Sequence, residues 1–192
     1  MLFKPKGPNL LVINLWAGPG AGKSTTAAGL FNLMKLSGYR VELVTEVAKD
    51  LVYEERIKLL NDNQLLVLAL QDHRLRRLVG KADIAITDSP LPLSIVYKPA
   101  QGLFSASWLN DTALALWRDY ENYNILVKRS KPYQKYGRTQ TLEEARKLDA
   151  RIEDLAIRLC GSRAKEVKGD EHAPRAILNW LQRDKGLMPK EE

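Results

Sequence analysis

The amino-acid sequence predicts an α/β fold in which a five-stranded parallel sheet carries helices on both faces. Short β-branched segments alternate with helical patterns along the chain, which is typical of parallel strands joined by crossover helices. Residues 10–15 form an apolar run that feeds into a glycine-rich turn, as expected for a strand buried on both faces. With 192 residues, of which 45% are hydrophobic and 28% charged, the chain fits one domain over residues 1–192.

Each element of that fold has a local signal. Strands are predicted from apolar and β-branched runs at residues 10–15, 41–45, 82–87, 123–127 and 164–168. Helices are predicted from apolar spacing and capping residues at 23–37, 47–60, 62–78, 107–122, 141–160 and 174–183. Residues 89–99 carry three prolines and are expected to be irregular, whereas Thr141 and Glu144 form a capping box that opens the fifth helix.

Residues 17–25 match the pattern of a phosphate-binding loop, with alanine in place of the usual first glycine. The glycines predict backbone N–H groups that face an anion, and the next helix presents its positive end to the same anion. Lys23 is expected to neutralise the β- and γ-phosphates of ATP, Ser24 to ligate Mg²⁺ and Thr25 to contact the α-phosphate. The expected nucleotide-binding residues are Ala17, Gly18, Pro19, Gly20, Ala21, Gly22, Lys23, Ser24 and Thr25.

Two carboxylates directly follow predicted strands, where ligands of parallel α/β sheets bind. Asp88 follows the third strand and is expected to orient Mg²⁺; the alternative is an aspartate of a turn. Glu46 follows the second strand and is expected to accept a proton from an acceptor hydroxyl or to hold a metal-bound water. Its alternative is a surface glutamate that begins a helix.

Residues 128–140 are rich in cations and lie before a well-capped helix, which indicates a lid. Arg129 and Arg138 are the candidates for stabilising the transferred phosphate, against the alternative of a solvated loop. The cations of residues 74–77 lie on the helix that leads to the third strand. Together with Gln71 they either read an acceptor or form a plain basic face.

The net charge indicates an anionic partner. Thirty Lys and Arg against 23 Asp and Glu give a formal charge of +7, which suits a nucleotide or a nucleic acid. Cys160 is the only cysteine, which excludes an internal disulfide and a multi-cysteine zinc site. No apolar stretch has the length of a membrane span, so a cytoplasmic protein without a membrane partner is expected. The sequence does not predict the oligomeric state, and a homodimer is one alternative.

Four segments together resemble the thymidylate kinase and nicotinamide riboside kinase-like group of P-loop kinases. They are Gly-Pro-Gly-Ala-Gly-Lys-Ser-Thr at 18–25, Thr-Glu-Val-Ala at 45–48, Thr-Asp-Ser-Pro at 87–90 and the Lys-Pro-Tyr to Gly-Arg segment at 131–138. The resemblance is greatest to small bacteriophage kinases, including 5-hydroxymethyluracil DNA kinases. If a phage encodes the chain, the expected location is the cytoplasm of the host cell. It implies the three-layer P-loop NTPase fold, ATP and Mg²⁺ as cofactors, an acceptor near Glu46 or Asp88, and an arginine in the lid. Residue 89 is serine where thymidylate kinases carry an arginine, so recognition of a deoxynucleotide by that arginine is not implied.

These observations favour an ATP-dependent kinase whose acceptor is the hydroxymethyl group of 5-hydroxymethyl-deoxyuridine in phage DNA, because the positive charge suits a polymer of phosphates. A kinase of free nucleosides or deoxynucleoside monophosphates is the first alternative. The second is a P-loop ATPase or switch that hydrolyses nucleotide and has no acceptor.

Overall fold

A computed structural model describes residues 10–130, 132–134 and 140–188 of the chain. The strands within these residues are β1 (Leu11–Trp16), β2 (Val41–Val44), β3 (Ile84–Thr87), β4 (Glu121–Lys128) and β5 (Lys165–Lys168). The helices are α1 (Lys23–Leu36), α2 (Val47–Tyr53), α3 (Ile57–Asp62), α4 (Gln64–Arg76), α5 (Leu93–Tyr97), α6 (Ser107–Arg118), α7 (Leu142–Cys160) and α8 (Ala173–Lys185). The strands form one five-stranded parallel sheet in the order β2-β3-β1-β4-β5, which confirms the predicted fold class.

The sheet lies between two helical layers. Successive side chains of β1 point to opposite faces. Val12 and Trp16 belong to the apolar cluster that also contains buried residues of α4, α6 and α7. Ile13 and Leu15 belong to the cluster that contains buried residues of α1 and α8. Burial on both faces explains why β1 is apolar at nearly every position.

Parallel pairing brings the carboxyl ends of the three strands before the candidate residues to one edge of the sheet. Asn14 of β1 is in register with Thr87 of β3, and Thr87 is in register with Val44 of β2. The phosphate loop, Glu46 and Asp88 therefore follow neighbouring strands at the same edge, as ligand-binding residues of parallel sheets do.

The helix predicted at 47–60 was wrong as a single element. The structure divides it into α2 and α3 at residues 54–56, where Glu55 has a φ of 58°. A left-handed residue cannot continue a right-handed helix, and the segment has neither glycine nor proline to indicate the break. Asn63 then begins α4, because its side chain accepts a hydrogen bond from the Leu66 N–H at 3.0 Å.

Two further elements differ from the sequence prediction, and one helix start is confirmed. The proline-bearing segment at 89–99 is not wholly irregular, since it contains the short helix α5 with Pro92 at its start. Helix α6 ends at Arg118 rather than 122, because Glu121 already pairs with Leu11 as the first residue of β4. The capping box at Thr141 and Glu144 is confirmed, with both reciprocal hydrogen bonds present at the start of α7.

Candidate functional site

The glycine-rich loop connects β1 to α1 without an intervening element. Gly20 and Gly22 have φ angles of 75° and 107°, a region of backbone conformation that favours glycine. Among the described residues, no side chain caps the start of α1. Its first N–H groups are therefore available to an anion, as the loop pattern predicted.

Lys23 lies against the loop from which it projects. Its side chain is buried, and its Nζ donates hydrogen bonds to the carbonyl oxygens of Ala17 at 2.8 Å and Gly18 at 3.0 Å. The ammonium group is thus held within the loop. Its contact with the β- and γ-phosphates stays a prediction.

Gly18 differs from the other glycines of the loop. Its N–H donates to the Asp149 carboxylate of α7 at 2.8 Å, so this amide is directed to a side chain of the protein and not to an open anion site. The same carboxylate accepts a hydrogen bond from Arg129 Nε at 2.8 Å. Arg129 in turn donates through Nη2 to the carbonyl oxygen of Pro19 at 2.8 Å. The predicted lid cation Arg129 therefore lies directly on the phosphate loop.

Ser24 and Asp88 meet where α1 begins and β3 ends. The Ser24 hydroxyl donates to Asp88 Oδ2 at 2.6 Å, and Asp88 is only 5% exposed. The other carboxylate oxygen, Oδ1, is buried and has no hydrogen-bond partner among the described residues. A buried carboxylate oxygen without a donor next to a hydroxyl fits an oxygen-ligated divalent cation, so both residues suit the Mg²⁺ that P-loop proteins bind with their nucleotide.

Glu46 connects β2 to α2 and lines the cavity beside the phosphate loop. Loss of water around the carboxylate raises its pKa above the ordinary glutamate value, and the nearby charge of Asp88 adds to the increase. Lys23 and Lys49 act in the opposite direction, and the net shift is upward. A carboxylate with a raised pKa is a better proton acceptor than an ordinary glutamate.

One cavity of about 300 Å³ joins the loop to the helices beyond Glu46. Its loop side is lined by Pro19, Gly20, Gly22, Lys23, Ser24 and Thr25. Its opposite wall is formed by α2, α3, α4 and α5, through Ala48, Lys49, Val52, Tyr53, Leu60, Asn61, Gln64, Val67, Leu93, Ser94 and Tyr97, and Ser89, Gln134 and Gln140 complete the lining. Burial raises the pKa of the Tyr97 hydroxyl, and the charges of Glu46 and Asp149 raise it further, so Tyr97 stays neutral. The cavity thus combines a phosphate end with a mixed aromatic and amide end.

Gln71 and Arg74 do not line this cavity, contrary to the acceptor-reading alternative. Gln71 accepts a hydrogen bond from the Val47 N–H at 3.0 Å and donates to the Thr45 carbonyl at 3.2 Å. Arg74 donates to the same carbonyl at 3.0 Å and pairs with Asp50. Gln71 thus holds the backbone on both sides of Glu46, and Arg74 holds the residue before it, which positions the carboxylate.

Arg138, the second lid candidate, lies outside the described residues. Among the residues that the structure does describe, no cluster of three or more His, Cys, Asp or Glu has the arrangement of a metal site. None of the described helices is both long and apolar enough to cross a bilayer.

Asp149 is the site residue that sequence reasoning missed. It lies 131 positions after Gly18, within a long amphipathic helix that carries many charged residues. One acidic residue among several on a helix gives no signal of its own, because only the packing of α7 beside the loop distinguishes it.

Comparison with known families supports the interpretation of the loop. A family model described as an AAA domain matches residues 12–173. Among curated proteins, none matches the chain significantly. The matched segment includes the glycine-rich loop, both strand-end carboxylates, Arg129 and Asp149.

Proposed function

The chain belongs to the AAA domain family of P-loop nucleotide-binding proteins, and on that premise we propose that it is an ATP- and Mg²⁺-dependent kinase. The observation that carries the proposal is the cavity, which continues from the phosphate loop past Glu46 into a wall formed by α2 to α5. Hydrolysis needs room for one water molecule beside the terminal phosphate. The additional space, with aromatic and amide side chains, suits a second substrate.

Each residue of the site has its own role in the proposed reaction. Lys23 and the loop N–H groups bind the phosphates, and Ser24 and Asp88 hold the cation, which when bound neutralises charge on the phosphate oxygens. The Glu46 carboxylate accepts the proton of the acceptor hydroxyl, whose oxygen then bonds to the γ-phosphorus. The bond from this phosphorus to the bridging oxygen breaks, and ADP leaves with the electron pair.

The acceptor that we propose is a nucleobase or nucleotide, with the hydroxymethyl group of 5-hydroxymethyl-deoxyuridine in DNA as the specific candidate. Tyr97 and Tyr53 offer aromatic surface, and Gln64 and Asn61 offer amides that suit the edge of a base. A base of DNA must leave the helical stack to enter a cavity of this kind. A free nucleoside or nucleoside monophosphate is the alternative acceptor, and it would occupy the same cavity with no DNA polymer attached.

The net charge of the chain, and not the local clusters of basic residues, supports DNA as the substrate. Arg74 pairs with Asp50, Arg76 with Asp119, and Lys128 with Glu153. Paired cations contribute little to a local positive patch. The excess of +7 over the whole chain still attracts a polyanion at low ionic strength.

Transfer of a labelled γ-phosphate tests the proposal. The protein is incubated with Mg²⁺-ATP and, separately, with an oligonucleotide that contains 5-hydroxymethyl-deoxyuridine, a matched thymidine oligonucleotide, the free modified nucleoside and deoxynucleoside monophosphates. We expect label in the hydroxymethylated oligonucleotide alone. Label only in free nucleosides or nucleotides would reject DNA as the substrate and retain the kinase.

The same experiment separates a kinase from the hydrolytic switch, which is the alternative that an AAA domain favours. Brisk release of inorganic phosphate that no acceptor increases, with no labelled product, would contradict the kinase. Lys23→Ala serves as the control that removes the phosphate contact and is expected to abolish turnover in either case.

A further inference from the structure

The phosphate loop is attached to α7 through Asp149 and Arg129. Asp149 accepts hydrogen bonds from the Gly18 N–H and from Arg129 Nε, each at 2.8 Å, with a different carboxylate oxygen for each donor. Arg129 also donates a hydrogen bond to the Pro19 carbonyl oxygen, so it contacts both Asp149 and the loop. Three elements far apart in sequence are thus joined by one carboxylate and one guanidinium group.

The glycine at position 18 is explained by this contact. Gly18 does not have a positive φ, unlike Gly20 and Gly22, so its backbone conformation does not require glycine. A Cβ built at residue 18 would lie 2.4 Å from Asp149 Oδ1 and 3.0 Å from the Ala145 carbonyl oxygen. A side chain here would push α7 away from the loop. The loop is therefore shaped to receive the Asp149 carboxylate.

The Arg129 guanidinium group has one donor without a partner among the described residues. Its side chain is 14% exposed, and its Nη1 is buried with no hydrogen-bond partner among the described residues. The Tyr133 ring lies 5.7 Å from the guanidinium carbon and restricts the group further. The Arg129 guanidinium group is therefore fixed beside the phosphate loop through its Nε and Nη2 groups.

We propose that Asp149 is a positioning residue that holds the first half of the phosphate loop and the Arg129 guanidinium in the geometry that ATP binds. The inference rests on the nucleotide-binding part of the proposed function and not on the acceptor. Asp149 acts through Gly18 and Arg129 and does not itself contact the nucleotide. Without it, the loop and the arginine must be ordered at the expense of ATP affinity.

Calorimetric titration with Mg²⁺-ATP tests the proposal, at a temperature where every variant is folded by circular dichroism. Asp149→Ala is expected to weaken ATP binding about tenfold or more, which corresponds to about 1.4 kcal/mol. Asp149→Asn keeps an oxygen for the Gly18 N–H and loses the charge for Arg129, so an intermediate loss is expected. Glu153→Gln is the matched control, because Glu153 lies one turn further along α7 and pairs with Lys128. It is expected to bind ATP as the unchanged protein does.

A double-mutant cycle adds a result that a merely structural role would not produce. Because Asp149 acts partly through Arg129, the Asp149→Ala, Arg129→Ala double variant is expected to lose less ATP affinity than the product of the two single losses. Losses that multiply, or ATP affinity unchanged in Asp149→Ala, would overturn the proposal. Should Asp149→Ala not fold, Asp149→Asn decides alone, and unchanged affinity there has the same meaning. A protein that binds ATP but phosphorylates no acceptor would contradict the kinase and leave this test intact.

Discussion

Burial determines the chemistry of Glu46 more than any single neighbour does. Desolvation is the largest cause of its raised pKa, and Lys23, the main opposing charge, does not reverse the shift. The carboxylate therefore binds its proton more tightly than an exposed glutamate does. That property suits a group that takes up a proton from an alcohol and later returns it to water.

Replacing Glu46 by glutamine should lower phosphate transfer by about 10²–10⁴-fold, because the amide cannot accept the proton. ATP affinity should be retained, since the loop and Lys23 are unchanged, and calorimetry measures it. Glu42→Gln is the control on the strand that precedes Glu46, where a half-buried glutamate pairs with Lys35. Transfer that is undiminished in Glu46→Gln would remove Glu46 from the mechanism.

The pH dependence of transfer follows from the same pKa shift. Only the deprotonated carboxylate accepts a proton, so activity rises as pH increases through the pKa of Glu46. Because that pKa is raised, the acidic limb of the rate profile should lie above the ordinary glutamate value of 4.5. A limb at or below that value would show that Glu46 is not the base.

Asp88 should govern the dependence of ATP binding on Mg²⁺. Asp88→Asn removes the charge beside the Ser24 hydroxyl, and the benefit of Mg²⁺ to ATP affinity should fall by about tenfold, or about 1.4 kcal/mol. Titrations with and without Mg²⁺ measure the difference. Asp83→Asn is the control, because it alters a half-buried aspartate directly before β3. It should leave the effect of Mg²⁺ on ATP affinity unchanged.

At the scale of elements, the break between α2 and α3 shapes the acceptor side of the cavity. Both helices supply lining residues, and Glu55 allows the chain to turn between them with its left-handed conformation. A side chain in that conformation costs about 1–2 kcal/mol, which glycine avoids. The bend is thus maintained against a local penalty.

Glu55→Gly should stabilise the protein by about 0.5–1 kcal/mol, after the greater backbone entropy of glycine in the unfolded chain is deducted. The melting temperature should rise by roughly 1–4 °C. Glu54→Gly is the matched control, because Glu54 has a φ of −80° and gains nothing from glycine. A lower melting temperature for Glu55→Gly than for Glu54→Gly would show that the backbone of Glu55 is not strained.

Local signals predicted most elements and the loop of the site. Helix α7 was predicted from its capping box, and β1 was predicted from an apolar run that the sheet buries on both faces. The end of α6 was not predictable locally, because pairing with β1 and not a breaker residue sets the start of β4. Asp149 was missed as a site residue for a related reason, since its partner Gly18 is distant in sequence. The hydrogen bond from the Val47 N–H to Gln71 likewise has no signal in the sequence.

At the scale of the whole molecule, Asp184 joins the last helix to two strands. Its carboxylate accepts hydrogen bonds from Lys165 of β5 at 2.6 Å and from the Tyr123 hydroxyl of β4 at 2.8 Å. The hydrogen bond from Lys165 is the main cause of its lowered pKa, and that from Tyr123 adds to it. The far edge of the sheet is therefore held by a charged group that the folded state prefers to keep ionised.

Asp184→Asn should lower the melting temperature at neutral pH. A lowered pKa in the folded state contributes stability above the ordinary aspartate value of 3.8, and this contribution disappears as the pH falls through the folded-state pKa below it. The deficit of the variant should thus be constant between neutral and mildly acidic pH and shrink below 3.8. Asp154→Asn, which alters an exposed pair within α7, should show no such deficit.

The central place of β1 has a consequence for protein synthesis. Both edges of this strand are occupied by later segments, with Leu11 opposite Ile84 on one side and Glu121 on the other. During synthesis, one edge of β1 therefore has no partner until β3 has been made, and the other edge has none until β4 has been made. Pairing over such sequence separations is slow, so the unpaired edges of β1 are exposed to aggregation during synthesis.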